Sequence, residues 1–351
     1  MKDLNSLLRK NIQSFESYHC QRQEHDNKNF KIYLDSNENP YNSSVNRFPD
    51  AQQKEIKKKF SLLKRIHPDC IFVGNGANET IDIVYRCFCE PRVDNVVAIE
   101  PTVGLYKSYA DINDVEYRKV CLEDKFLLSA EKVLDACDDN TKVIWLCSPN
   151  DPTGNELDRN EIESIIECFD GIVVIDNAYA DFSHTQPISN ELHKYPNLII
   201  LNTFDYAWGC AGLHVATAIA YPEIIETFNK VRHPYGINTL SQERILQQLA
   251  NHWDVDKWVS MLLMERDNMI EAFKLLPSCE EVYPTDANFF LTQMTKANDI
   301  YNYLKDNGII VYNCSDMPLC KDCLRISVGS KSENAELISV LRRYDEQNDN
   351  I

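Results

Sequence analysis

No apolar run in this chain is long enough to cross a bilayer, and its opening residues mix charges where a signal peptide would carry an apolar core. A cytoplasmic location is therefore expected. Positive charge is scarce: 36 Lys and Arg stand against 54 Asp and Glu, for a net charge of -18. That balance argues against an electrostatic grip on nucleic acid or on an anionic membrane and favours a small molecule or another protein as partner. There is no repeat, low-complexity tract or long linker. Cys320-x-x-Cys323, with Cys314 nearby, lacks the second pair or local histidine that would complete four ligands, so no metal site is expected. The thirteen cysteines are an odd number. Several (Cys87, Cys89, Cys147, Cys168) sit inside apolar patterns, which suits reduced, buried thiols. One absence is local: from Tyr195 to Asn229 there is no lysine.

What is present reads as a repeated order of strand, turn and helix. Ile71 to Val73 leads through Gly74-Asn75-Gly76 into a helix with Ile81, Val84, Tyr85 and Phe88 on one face. Val96 to Ile99, Val143 to Cys147, Ile172 to Ile175 and Leu198 to Leu201 are short apolar runs, as expected of strands buried on both faces. Asp158-x-x-Glu161 predicts a capping box on the helix carrying Ile162, Ile165 and Ile166. The alternation implies an α/β protein with a mostly parallel sheet flanked by helices, whose ligands sit at the carboxyl ends of the strands. Beyond Asn238 a long helical stretch precedes strands at Asn288 to Gln293, Gly308 to Tyr312 and Leu324 to Val328, a smaller α+β C-terminal domain. The expected division is an N-terminal arm over 1–30, a large domain over 31–237 and a small domain over 238–351.

Several strand ends carry polar groups that would converge. Gly74-Asn75-Gly76-Ala77-Asn78-Glu79 is a glycine turn entering a helix, the geometry in which free N–H groups hold a phosphate. Taken alone it is a common, nonspecific feature. Ser148-Pro-Asn-Asp-Pro-Thr-Gly154 is more specific, with two prolines and a glycine following a buried strand. Asp176-x-x-Tyr179 puts a carboxylate and a phenol at the next strand's end; standing alone, the pair reads more simply as a helix cap and a packed aromatic.

In this order the motifs resemble those of fold-type-I aminotransferases, and within them the histidinol-phosphate aminotransferase family. The resemblance extends through Leu34-Asp-Ser-Asn-Glu-Asn-Pro-Tyr41, Asn46-Arg-Phe-Pro-Asp50, Pro101-Thr-Val-Gly-Leu-Tyr106, Val174-Ile-Asp-Asn-Ala-Tyr-Ala-Asp-Phe182, Thr203-Phe-Asp-Tyr-Ala-Trp-Gly-Cys-Ala-Gly-Leu-His214 and Cys323-Leu-Arg-Ile-Ser-Val-Gly329. It implies a pyridoxal-phosphate site and a dimer. Asp176 falls on the carboxylate that pairs with the pyridine nitrogen, Tyr179 on the phenol that bonds the ring oxygen, and Arg325, with Asn39, on substrate-binding positions.

Other positions depart from the family pattern. Tyr206 stands where the family has the lysine that carries the cofactor as an imine and shuttles protons, and a phenol cannot form that bond. Asp205 replaces a serine that bonds the cofactor phosphate, and His214 an arginine that pairs with it. Phe48 replaces a tyrosine reaching that phosphate from the neighbouring subunit, and Ala77 and Asn78 the Ser-Asp pair of the phosphate turn. Val103 replaces the aromatic that stacks on the ring, and Asp151 an asparagine that donates to the ring oxygen. A carboxylate about 4 Å from the phosphate would repel it by roughly 4 kcal/mol in a partly solvated site. The expectation is thus a pseudoenzyme without cofactor, a homodimer or a mixed dimer with an active relative, with a regulatory or metabolite-binding role. The alternative is a pyridoxal- or pyridoxamine-phosphate-dependent enzyme acting on an amino acid or amino-alcohol phosphate such as histidinol phosphate. There the proton would move through His214 or Tyr206, or a lysine would come from elsewhere, such as Lys230 or a partner subunit.

Overall fold

A computed structural model describes residues 3–17, 31–41 and 44–348. Its larger sheet has seven strands in the order β1-β7-β6-β5-β4-β2-β3. They are β1 (Ile71–Gly74), β2 (Asn95–Glu100), β3 (Glu116–Cys121), β4 (Thr141–Cys147), β5 (Ile172–Asp176), β6 (Leu198–Thr203) and β7 (Ala216–Ala220). Strands β2 to β6 pair in parallel, and β7 alone runs against both its neighbours. Every residue of β5 and β7 is buried, as continuous apolar strands covered by helices on both faces should be. Ile81, Val84, Tyr85 and Phe88 are buried along helix Gly76–Phe88, as their spacing predicts.

Two strands escape the hydrophobic reading, for different reasons. Edge strand β3 alternates exposed and half-buried residues, so it lacks an apolar run. The alanine-rich β7 has little side-chain signal, and Ala218 and Ala220 are buried by the sheet around them.

A second sheet of four antiparallel strands, in the order β10-β11-β9-β8, comprises β8 (Cys279–Val282), β9 (Phe289–Met294), β10 (Tyr312–Asn313) and β11 (Cys323–Ser327). The strand expected over Gly308 to Tyr312 is reduced to two residues, because Gly308 has φ +79 and closes the preceding helix. The long helical stretch after Asn238 is two helices, Thr239–Ala250 and His252–Lys274, broken at Asn251. The first packs on the large sheet's side of the molecule: Gln242 Nε2 donates to the Asp50 carbonyl at 2.9 Å, and Ile245 lies in the core that contains β1.

Some expectations need correction. Asp158 does cap its helix, accepting from the N–H groups of Asn160 (2.8 Å) and Glu161 (3.2 Å). The box is not reciprocal, because the Glu161 carboxylate instead accepts from Ala130 N–H at 2.6 Å. Cys168 is exposed at the end of that helix, whereas Cys87, Cys89 and Cys147 are buried. The described part of the N-terminal arm packs on its own chain. Leu7 enters the core around helix Gly76–Phe88, and Arg9 N–H donates to the Cys87 carbonyl. The rest of the arm, 18–30, lies outside the described residues.

Candidate active site

The carboxyl ends of β1, β2, β4, β5 and β6 and the start of β7 meet at one edge of the large sheet. Asp176 ends β5, beside Cys147 on β4 and Leu201 on β6. It is buried and accepts from the Tyr106 hydroxyl at 2.7 Å and from Ala178 N–H at 3.1 Å. Burial raises its carboxyl to about 6, partly offset by the Tyr106 hydrogen bond. Tyr106 is held by stacking on Trp145 (4.8 Å between centroids), which stacks in turn on Tyr85, and the Tyr85 hydroxyl donates to the Tyr106 carbonyl at 2.7 Å. Sequence reasoning placed Tyr106 inside a motif but assigned it no role; the contact joins residues seventy positions apart.

The Ser148–Gly154 loop forms a second layer. Asn150 is fully buried and ties it down, donating to the Pro101 carbonyl (2.9 Å) and to Thr153 Oγ1 (2.8 Å) while accepting from Thr102 (2.8 Å). Gly154, at φ +84, leaves room for Thr285, and its carbonyl accepts from Asp286 N–H at 2.8 Å. The loop thereby bridges the two sheets. Asp151, in its middle, accepts from the Tyr179 hydroxyl at 3.1 Å and forms an ion pair with Arg325 of β11. The Arg325 guanidinium also lies over Tyr312 (4.5 Å) and Phe289 (5.2 Å). Asp151 is therefore charge-compensated, and Arg325 already has an anion.

Tyr206 stacks on Tyr179 with centroids 4.6 Å apart and planes 13° apart, leaving it 41% exposed. Its phenol is pushed up by burial and offers no amine. Asp205 Oδ2 lies 3.7 Å from His214 Nδ1, and its buried Oδ1 has no hydrogen-bond partner among the described residues. His214, at φ +52, lies where a Cβ on Gly76 would be, at the N-terminus of helix Gly76–Phe88. His214, Asn75, Asn78, His233 and Tyr235 line a cavity of about 500 Å³. His233 and Tyr235 were missed because nothing in their local pattern distinguishes them from loop residues.

The remaining candidates are less convergent. Phe48 is half exposed and stacks on Tyr235 at 4.7 Å. Ala77 and Val103 pack against the core under helix Gly76–Phe88 and contribute no polar group. Asn39 is exposed, its side chain accepting from Tyr41 N–H, with no contact to Arg325 among the described residues. Lys230 lines a different cavity from His214.

The model of the class I and II aminotransferase family matches residues 25–341. A histidinol-phosphate aminotransferase of Bacteroides fragilis is 48% identical over 98% of this chain and 100% of its own length. One from Flavobacterium psychrophilum is 41% identical over 97% of this chain and 98% of its own. Among solved structures, the histidinol-phosphate aminotransferase of Clostridium acetobutylicum has a TM-score of 0.79 at 18% identity, covering 86% of this chain and 92% of that one. The Sinorhizobium meliloti enzyme, in complex with pyridoxal-5'-phosphate, also has a TM-score of 0.79 at 18% identity, covering 86% and 83%. The fold is that of fold-type-I aminotransferases. This chain belongs to the histidinol-phosphate aminotransferase family of class I and II aminotransferases.

These relatives overturn the expectation that no cofactor is used. Close full-length relatives carry the name of an aminotransferase, and a neighbour of the same fold holds pyridoxal phosphate. The departures are not isolated: Asp205 lies beside His214 and Asp151 is paired with Arg325. The residues present fit the group's two ends unequally. Asp176 suits a ring nitrogen. His214 and Asn78 stand at a helix N-terminus, where a phosphate is favoured, but Glu79 and Asp82 line the same cavity and Glu79 already accepts from Asn75 N–H at 2.5 Å. The attachment point does not fit in the family's manner, because no lysine lines this cavity among the described residues.

Proposed function

We propose that this protein is a pyridoxal- or pyridoxamine-phosphate-dependent aminotransferase acting on an amino-alcohol phosphate such as histidinol phosphate, with the cofactor held noncovalently. The observation that carries this reading is Asp176, buried at the end of β5 and oriented by Tyr106 at 2.7 Å. A carboxylate so placed has no structural task that needs a charge; beside a pyridine nitrogen it stabilises the protonated ring. The bound cofactor supplies the electron sink for amino-group transfer. This chain's own residues orient the ring through Asp176 and Tyr179, hold the phosphate through His214 and Asn78, and offer Tyr206 or His214 as a proton carrier.

A homodimer is part of the same reading. It is supported by the apolar surface on helix His252–Lys274, where Trp253 is 72% and Met264 60% exposed. A partner subunit, of this chain or of a lysine-bearing relative, is the remaining source of an amine.

The test is a titration of purified protein with pyridoxal phosphate and, separately, with pyridoxamine phosphate. Borohydride treatment, intact-mass measurement and an amino-transfer assay with histidinol phosphate follow. Saturable binding without a mass increase, together with transfer, is expected. A borohydride-stable adduct on a lysine would replace noncovalent retention by attachment elsewhere, and absence of saturable binding of either form would sink the proposal.

A further inference from the structure

A second cavity, of about 960 Å³, lies between helix Lys54–Lys64 and helix Pro222–Val231. Lys57, Lys230 and Arg232 line it, with Asp69 and Glu226 among its acids. Among the described residues it shares no lining residue with the cavity at His214, although the two are adjacent along the chain: Arg232 and Pro234 face this one, His233, Tyr235 and Gly236 the other.

Two cations here lack the partners that buried charge requires. Arg232 is only 8% exposed, and its guanidinium lies over the Phe72 ring at 4.9 Å. Its Nε and Nη2 are shielded from solvent with no hydrogen-bond partner among the described residues, while Nη1 makes one long contact, 3.5 Å, to Asn229 Oδ1. Burial holds this guanidinium below its ordinary value, against the nearby negative charges of Glu79 and Asp50. Lys57 is brought down to about 8, first by burial and then by the positive charge of Arg232; Asp50 and Asp69 oppose this and Lys54 adds to it. Those acids are engaged elsewhere. Asp50 caps the N–H groups of Gln52 and Lys54 at 2.9 and 2.7 Å, and Asp69 pairs with His67 at 3.4 Å. Among the described residues no carboxylate is ion-paired with either Lys57 or Arg232, and two like charges at a roomy cavity favour an anion there.

We propose that this cavity binds a small phosphorylated metabolite, with the phosphate reaching Lys57 and the Arg232 guanidinium. A bare phosphate would satisfy the charges but leave most of 960 Å³ empty, a volume in the range of small-molecule sites. A phosphate monoester places its dianion between the cations and its organic part along Ile225 and Pro222. The inference is independent of what occupies the cavity at His214.

The experiment uses the full chain, with inorganic phosphate and phenyl phosphate as probes, by calorimetry. Wild type, Lys57→Gln and His214→Gln are compared, the last removing a phosphate contact at the other cavity. In parallel, acylation of Lys57 by an amine-reactive ester near pH 8 is followed by peptide mass spectrometry with and without each probe. Expected are saturable binding retained in His214→Gln, weakening of about tenfold in Lys57→Gln, protection of Lys57 by both probes, and tighter binding of phenyl phosphate. Equal affinity for the two probes would reduce the site to inorganic phosphate and overturn the metabolite. Binding abolished by His214→Gln but unchanged by Lys57→Gln, no saturable binding, or a Lys57 acylation rate that neither probe alters overturns the site itself. Arg232→Gln, which removes a buried group packed on Phe72, serves only if its melting curve matches wild type.

Discussion

The two ends of the candidate cofactor seat differ in how tightly the fold holds them. At the ring end, Asp176, Tyr106, Trp145 and Tyr85 form one buried chain of hydrogen bonds and stacked rings, each member fixing the next. At the attachment and phosphate end, Tyr206 and His214 are substantially exposed and touch few other groups. A side chain in the buried chain cannot change without leaving a polar group unpaired or a void, whereas one at the open end can. Tyr206, Asp205, His214, Phe48 and Asn78 depart from the family's motifs at the open end, and Val103 and Asp151 at the ring end; Asp205 lies beside His214 and Asp151 is paired with Arg325.

The comparison is broken most directly at Asp176. With its folded value near 6 and an ordinary carboxyl near 3.8, the native state binds more protons than the unfolded chain between those values, so stability falls as pH rises through that window and levels off above it. Asp176→Asn keeps an acceptor for Tyr106 and removes the titration. We expect urea unfolding of the unliganded variant to lose about 3 kcal/mol of the pH dependence between pH 4 and 7. Its affinity for pyridoxal phosphate should fall as well. A wild-type pH profile unchanged in the variant would mean that Asp176 is not the group that titrates.

Asp151 comes next, because it joins the two regions. Asp151→Asn leaves the Arg325 guanidinium without its carboxylate, and we expect a stability loss of about 1–3 kcal/mol by denaturant melts. The freed Arg325 should bind an anionic substrate more tightly, read as a lower KM for histidinol phosphate. An unchanged KM would show that Arg325 does not meet the substrate.

Tyr206 gives the smallest stability effect. Tyr206→Ala removes a stacked ring from Tyr179 and should cost about 0.5–1.5 kcal/mol. Tyr206→Lys should instead convert reversible cofactor retention into a borohydride-reducible adduct, detected as a mass increase on the peptide containing residue 206. If no adduct forms although cofactor binds, position 206 does not face the reacting carbon.

Much of the architecture could be read from the chain in order. Apolar runs announced β1, β2, β4, β5 and β6, since a strand covered on both faces must be apolar throughout, and turn chemistry placed their polar ends at one edge. The edge strand β3 and the alanine strand β7 were illegible because their pairing comes from neighbours, not from their own side chains. The lysine gap and the substituted motif positions were equally plain, because residue identity at a motif is a local property. What the substitutions amount to was not. A carboxylate is repulsive or compensated according to what stands within a few ångströms, and the partners of Asp205 and Asp151 lie nine and 174 residues away, respectively, in the chain. Charge chemistry belongs to pairs and burial belongs to surfaces, so the sequence determined the family, the sheet and the residue types at the seat. Only the tertiary structure decided which of those residues stand beside an opposite charge, as Asp151 does beside Arg325, because such partners lie far apart in the chain.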